Sequence, residues 1–155
     1  MSRAFIKEDA GDSDELPERH QSSAPNYVTP EGMAALRRRA DELRARLESL
    51  AQDSPQRREV RREARYCEGR LASAILVAPG ACPPDEVRFG ACVDLEAPEG
   101  ARRTVSIVGQ DEADEAAGKI AWDSSLALKL MGARVGTRIE AGDALCTVAA
   151  IRYRI

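Results

Sequence analysis

LESLAQDSPQRREVRRE, residues 47–63, carries a leucine-spaced segment into Asp-Ser-Pro and comes out strongly basic. Read outward in both directions, it is the bend of a helical hairpin. Upstream, Thr29 reads as an N-cap with Pro30 at the first helical position. Apolar residues then recur at Met33, Leu36, Ala40, Leu43, Leu47 and Leu50, in steps of three and four. Downstream, Val60, Ala64, Cys67, Leu71 and Ala74 keep the same rule, and Val77 or Ala78 can close it. A narrow apolar seam of this kind is a coiled-coil pattern. In an antiparallel hairpin, facing residues have numbers of constant sum. Leu50 with Val60, Leu47 with Ala64, Leu43 with Cys67, Ala40 with Leu71, Leu36 with Ala74 and Met33 with Val77 satisfy this to within one. The pivot falls at Pro55, with Ser54 as the cap of the second helix. Arms of about 20 residues rising 1.5 Å per residue project roughly 30 Å.

Around this hairpin the charge is segregated. The net charge of −3 over 155 residues hides six acids against three bases in residues 1–26, eleven bases against seven acids in 33–75, and twelve acids against nine bases in 80–155. A basic arm is thus carried on a mildly acidic body, and partners respond to such local fields more than to the sum. Residues 1–27, with DAGDSDELPE, read as a disordered acidic tail. No run of 18 or more apolar residues occurs, and the N-terminus lacks a continuous apolar h-region, so neither a membrane span nor a signal peptide is supported and the expected address is the cytoplasm. Cys67, Cys82, Cys92 and Cys146 lie far apart with only His20 as an imidazole partner, which is not zinc-ligand spacing. The cysteines read as small apolar side chains or incidental thiols in a reducing compartment, and His20 as a solvated side chain.

After residues 28–78, the hairpin, APGACPPDE cannot continue a helix, which makes 79–86 a linker. Residues 87–155 then form an α+β unit. VRFGACVDLE and RRTVSIVG alternate as strands do, SSLALKLMG fits a short helix closed by Gly132, and CTVAAIRYRI reads as a last strand offering Val148, Ile151 and Tyr153 to a core. With so few aromatics the core is expected to be aliphatic, and Trp122 a packing residue.

NYVTPEGMAALRRRADEL, YCEGRL, VRFGACVDLE, SIVGQDEADEAAGKIAWDSSLALKLMGARVGTRIE and the terminal IRYRI together resemble the GreA/GreB family of bacterial transcript-cleavage factors. The resemblance covers most of the chain. It implies an N-terminal antiparallel coiled coil that enters the secondary channel of RNA polymerase, and an FKBP-like antiparallel β-sheet domain with a short helix that docks at the channel entrance. It also implies a polymerase-facing loop in GQDEAD, with Asp111, Glu112 and Asp114, joined by Lys119 and Ser124. Without the resemblance, the same loop reads as a solvated acidic turn. Ser125 stands where the family tends to have Pro, and Thr137 where it often has Asp.

In the family the hairpin tip holds an Asp and a Glu three residues apart, in a segment reading like GDLSENAEY. Their hard carboxylate oxygens can help hold a second Mg²⁺ at the polymerase's own active site. That segment is absent here. Between Gly32 and CEGR the chain is shorter than the family pattern by roughly 14 residues, ~7 per arm, a loss of ~10 Å of reach. One register puts Asp53 at the family's Glu and Leu50 at its Asp; the other puts Asp53 at the Asp and leaves Gln56 at the Glu. Either keeps one carboxylate. Arg57, Arg58, Arg61 and Arg62 make the region positive, and Asp53 has a structural reading too, as an acid favoured beside a helix N-terminus.

Two classes of function follow. The first is a non-catalytic, monomeric regulator that binds RNA polymerase, meets nucleic acid only through it, and has no cofactor beyond the polymerase's Mg²⁺. Within this class a competitor that cannot stimulate cleavage is favoured over an active anti-backtracking factor using Asp53. The second is an FKBP-like binding module or prolyl isomerase, which would want aromatics around its proline pocket; that half of the chain offers Phe89, Trp122 and Tyr153.

Overall fold

The computed structural model describes residues 16–79 and 83–154. Of the tail 1–27 expected to be disordered, residues 1–15 lie outside them, as do the middle of the linker and Cys82. Strand β1 (Tyr27–Val28) leads into helix α1 (Pro30–Ser49), which turns back as α2 (Pro55–Ser73). Both predicted caps form. The Thr29 hydroxyl accepts from Gly32 N–H and the Ser54 hydroxyl from Arg57 N–H, with Pro30 and Pro55 in the first turns. These bonds satisfy donors that a helix start leaves orphaned. Ala40, Leu43, Val60, Ala64 and Cys67 form the buried seam, with Leu47, Leu50 and Leu71 packed half-buried against it. At the base, Leu36 is buried and Met33 half-buried, outside that cluster.

The second helix is shorter than the periodicity suggests. It ends at Ser73, so Ala74 is its cap and Val77 and Ala78 lie beyond it. Here a tertiary pairing overrides the heptad: β2 (Ile75–Leu76) lies parallel to β1, with Ile75 N–H donating to the Asn26 carbonyl at 2.8 Å and Val77 N–H to that of Val28 at 3.0 Å.

The body contains β3 (Ala91–Glu96), β4 (Arg102–Val108), β5 (Lys119–Ala121), α3 (Ser125–Leu130), β6 (Arg138–Ala141) and β7 (Ala144–Tyr153). The sheet order is β5-β4-β3-β7-β6. The expected antiparallel sheet is antiparallel in four strands, but β5 pairs parallel to β4 and makes the sheet mixed. A parallel neighbour needs a crossover rather than a hairpin. Residues 109–118, including a 3-10 turn at Glu115–Ala117, supply it. Period-two alternation sends Val93, Leu95, Val105, Ile107 and Val148 into an aliphatic core, closed on one face by Ala127 and Leu130 of α3. Ile151 and Tyr153 pack against this core from its margin, and Gly132 ends α3 in the left-handed region at φ 81°. Cys67, Cys92 and Cys146 are buried free thiols, and His20 is exposed.

Candidate functional site

The crossover loop sits directly against the base of the hairpin. Asp111 turns its side chain inward, 14% exposed, onto Arg70 of α2, which is 2% exposed: Nε donates to Oδ2 at 2.6 Å. The Tyr66 hydroxyl donates to the other oxygen of Asp111. Arg70 Nη2 also donates to Asn26 Oδ1 at 2.6 Å and Gln110 Oε1 at 3.2 Å, while the Asn26 amide donates to the Arg70 carbonyl at 2.7 Å. A buried guanidinium thus has acceptors in the strap before the hairpin and in the loop of the body. Such satisfaction is what makes its burial tolerable. Burial first, then the hydrogen bond to Asp111, pushes the Tyr66 phenol up to about 12.

A second contact lies beside it. The Thr29 hydroxyl that caps α1 donates to Glu112 Oε2 at 2.5 Å, and Lys119 Nζ stands 3.6 Å from Glu112 Oε1. Gly32 leaves room for this approach, since a Cβ there would lie 2.6 Å from Glu112 Oε2. Gly109 does the same for the backbone, where a Cβ would stand 2.4 Å from the Tyr27 carbonyl oxygen. The Tyr27 ring packs against Phe89 and edge-on to Trp122, with centroids 5.9 and 5.0 Å apart, which makes Trp122 the packing residue expected.

Of the five residues that the resemblance assigns to a polymerase-facing loop, Asp111 and Glu112 therefore serve an intramolecular clasp. Lys119 pairs with Glu112 at its edge, and the Ser124 hydroxyl caps α3 by accepting from Ala127 N–H at 3.3 Å. Asp114 is exposed and makes no part of the clasp, with Glu115 exposed beside it. Arg70, Asn26, Tyr66 and Thr29 in its second role were missed. The available signal was Arg70 itself, a charge three residues after seam residue Cys67 within CEGR.

At the far end, Asp53 is exposed in the turn between the helices. Arg57 folds over this bend, donating to the carbonyls of Leu47 and of Leu50, the latter at 3.2 Å. It thereby satisfies orphan acceptors at the C-terminus of α1, where a cation is favoured. Among the described residues, no group of three or more His, Cys, Asp or Glu side chains is placed to hold a metal. No described helix is long and apolar enough to cross a membrane.

A two-helix hairpin is clasped to a five-strand body by the DEAD loop, and comparison with known proteins places the chain: it belongs to the GreA/GreB transcription elongation factor family. The family model "Transcription elongation factor, GreA/GreB, C-term" matches residues 82–152. Transcription elongation factor GreA of Desulfovibrio desulfuricans is 34% identical over 114 residues, 72% of this chain and 70% of that one. GreB of Neisseria meningitidis is 43% identical over 83 residues, 53% of this chain and 51% of its own, so the chain spans about half the length of that relative. Among solved structures, GreA/GreB of Nitrosomonas europaea and Gfh1 of Thermus thermophilus are each 22% identical, over 83% of this chain and 99% of theirs, with TM-scores of 0.43 and 0.42.

Proposed function

We propose that this chain binds bacterial RNA polymerase as a monomer, with the body at the mouth of the secondary channel and the hairpin inside it. It acts by occupancy and does not itself stimulate transcript cleavage. The observation that carries this reading is the bend: between Leu50 and Ser54 the single acid is Asp53, and Arg57 lies across the same turn. A second Mg²⁺ wants several hard, charged oxygens, and one carboxylate near guanidinium groups offers few of them in an unfavourable field. The chain then has no cofactor of its own, and meets nucleic acid only through the polymerase.

The prolyl isomerase reading loses support because its aromatics are otherwise engaged. Phe89 and Trp122 pack on Tyr27, and the apolar pocket of 160 Å³ near Val77, Cys92 and Val108 is lined by neither, nor by Tyr153. Fold alone would not carry that activity.

The test is RNA shortening in backtracked elongation complexes, with binding measured in parallel. The parent and Asp53→Ala are expected to bind equally and to leave the transcript at its uncatalysed rate. Robust Mg²⁺-dependent cleavage by the parent, lost in Asp53→Ala, would instead make Asp53 a working tip residue.

A further inference from the structure

The strap before the hairpin lies along α2. Asn26 holds the Arg70 carbonyl, and the Gln21 side chain packs on Gly69, where a Cβ would lie 2.3 Å from the Gln21 amide nitrogen. Farther along, Arg19 reaches Glu63 and Tyr66, which are three residues apart on the helix and therefore on one side of it. Its guanidinium carbon stands 3.9 Å over the centre of the Tyr66 ring, and its Nη1 donates to Glu63 Oε2 at 2.9 Å.

The receiving surface is built without the strap. Tyr66 is fixed from its far end, because its hydroxyl donates to Asp111, and that carboxylate is held in turn by Arg70. The ring face is left for a cation, with the Glu63 carboxylate beside it for the N–H donors. An aromatic face next to a carboxylate suits a planar guanidinium better than a compact, strongly hydrated ammonium. The hold on the strap is weak by contrast. Every residue from Pro17 to Ser23 is exposed, and the Arg19 side chain is 48% exposed even in its stack. Exposed ion pairs and stacks contribute little, while fixing extended chain costs backbone entropy at every residue. Buried anchorage of the strap begins only at Asn26.

We propose that Glu63 and Tyr66 form a binding site for an arginine side chain, filled in cis by Arg19 and taken over by an arginine of a partner protein when the strap lifts. The strap is then a self-ligand that a partner must outcompete. Access exists, because Arg19, Glu63 and Tyr66 border a cleft of about 470 Å³ between the two helices and the loop of the body. Charge complementarity names the occupant, since Arg19 already shows which side chain the surface accepts. This holds whether or not the chain binds polymerase.

The experiment follows the full chain, labelled with nitrogen-15, by NMR, with N-acetylarginine amide as the probe and N-acetyllysine amide at equal ionic strength as the control. Backbone signals of residues 18–23 should move toward their positions in Arg19→Ala as the arginine probe is added, at a concentration at least about threefold lower than the lysine probe needs. Glu63→Gln should move the same signals toward the Arg19→Ala positions before any probe is added, while signals of the body stay in place. Strap signals of the parent that coincide with those of Arg19→Ala from the start, or that ignore Glu63→Gln, would overturn the proposal. So would equal potency of the two probes, which is the result of charge screening alone, or no movement with either.

Discussion

At Arg70 a guanidinium is enclosed with an acid and two side-chain amides arranged around it, and one of those amides, Asn26, donates back to the Arg70 carbonyl. Removing one partner of such a set leaves the others buried and unpaired, which costs more than the set contributes relative to an apolar replacement. Arg70→Ala is therefore expected to destabilise the chain by about 3 kcal/mol in urea denaturation. Arg70→Met combined with Asp111→Asn should recover part of that loss. Asp94 makes a different kind of pair, on the outer face of the sheet: Arg152 donates to its two oxygens at 2.6 and 2.9 Å and the Thr104 hydroxyl at 2.7 Å. The Arg152 hydrogen bonds, then Thr104, hold its carboxyl down to about 2 against an ordinary 3.8. A depressed acid stabilises the fold above its unfolded value and loses that contribution as pH falls toward the folded one. Melting temperature should thus drop between about pH 4 and pH 2, and Asp94→Asn should flatten that part of the profile.

The hairpin is an element held by one seam and two caps. Leu43, 2% exposed, sits at mid-arm among Val60, Ala64 and Cys67. Truncating a buried leucine removes transfer energy and leaves a cavity, so Leu43→Ala is expected to cost about 2–5 kcal/mol and lower the helical circular dichroism melt. An unchanged melt would mean that the helices are not packed through this seam. Arg57 does for the first helix what Ser54 does for the second, which shows that part of the positive charge at the bend is structural.

For the whole molecule, the clasp decides which acids are left for a partner. With Asp111 on Arg70 and Glu112 on Thr29, reversing them would test the clasp and not docking. Asp114 and Glu115 are the outward acids of the loop. If this loop meets polymerase, Asp114→Lys with Glu115→Lys should weaken retention on purified core enzyme several-fold while leaving the melting curve unchanged, by the usual small effect of exposed charges on stability. Equal retention of variant and parent would place the docking surface elsewhere on the body. In a competition assay the parent should also displace longer-armed family members from the same channel.

The seam, both proline-led caps, the bend at Pro55 and three strands of the body, β3, β4 and β7, were legible because each rests on local chemistry: period, capping hydroxyls and alternation are properties of neighbouring residues. The family resemblance was legible for the same reason, being carried by contiguous strings. The end of α2 was not, since Ile75 and Leu76 leave the helix to pair with Tyr27 and Val28, nearly fifty residues earlier. Nor was the parallel placement of β5, which depends on how the 109–118 crossover packs. The same limit hid the clasp. Asp111 and Glu112 read as solvent-facing acids in a turn, and their sequence neighbours give no sign of Arg70 and Thr29, which stand 41 and 83 residues away. A carboxylate's partner is settled by where the fold brings an unpaired donor, and that information exists only once the hairpin is folded against the body.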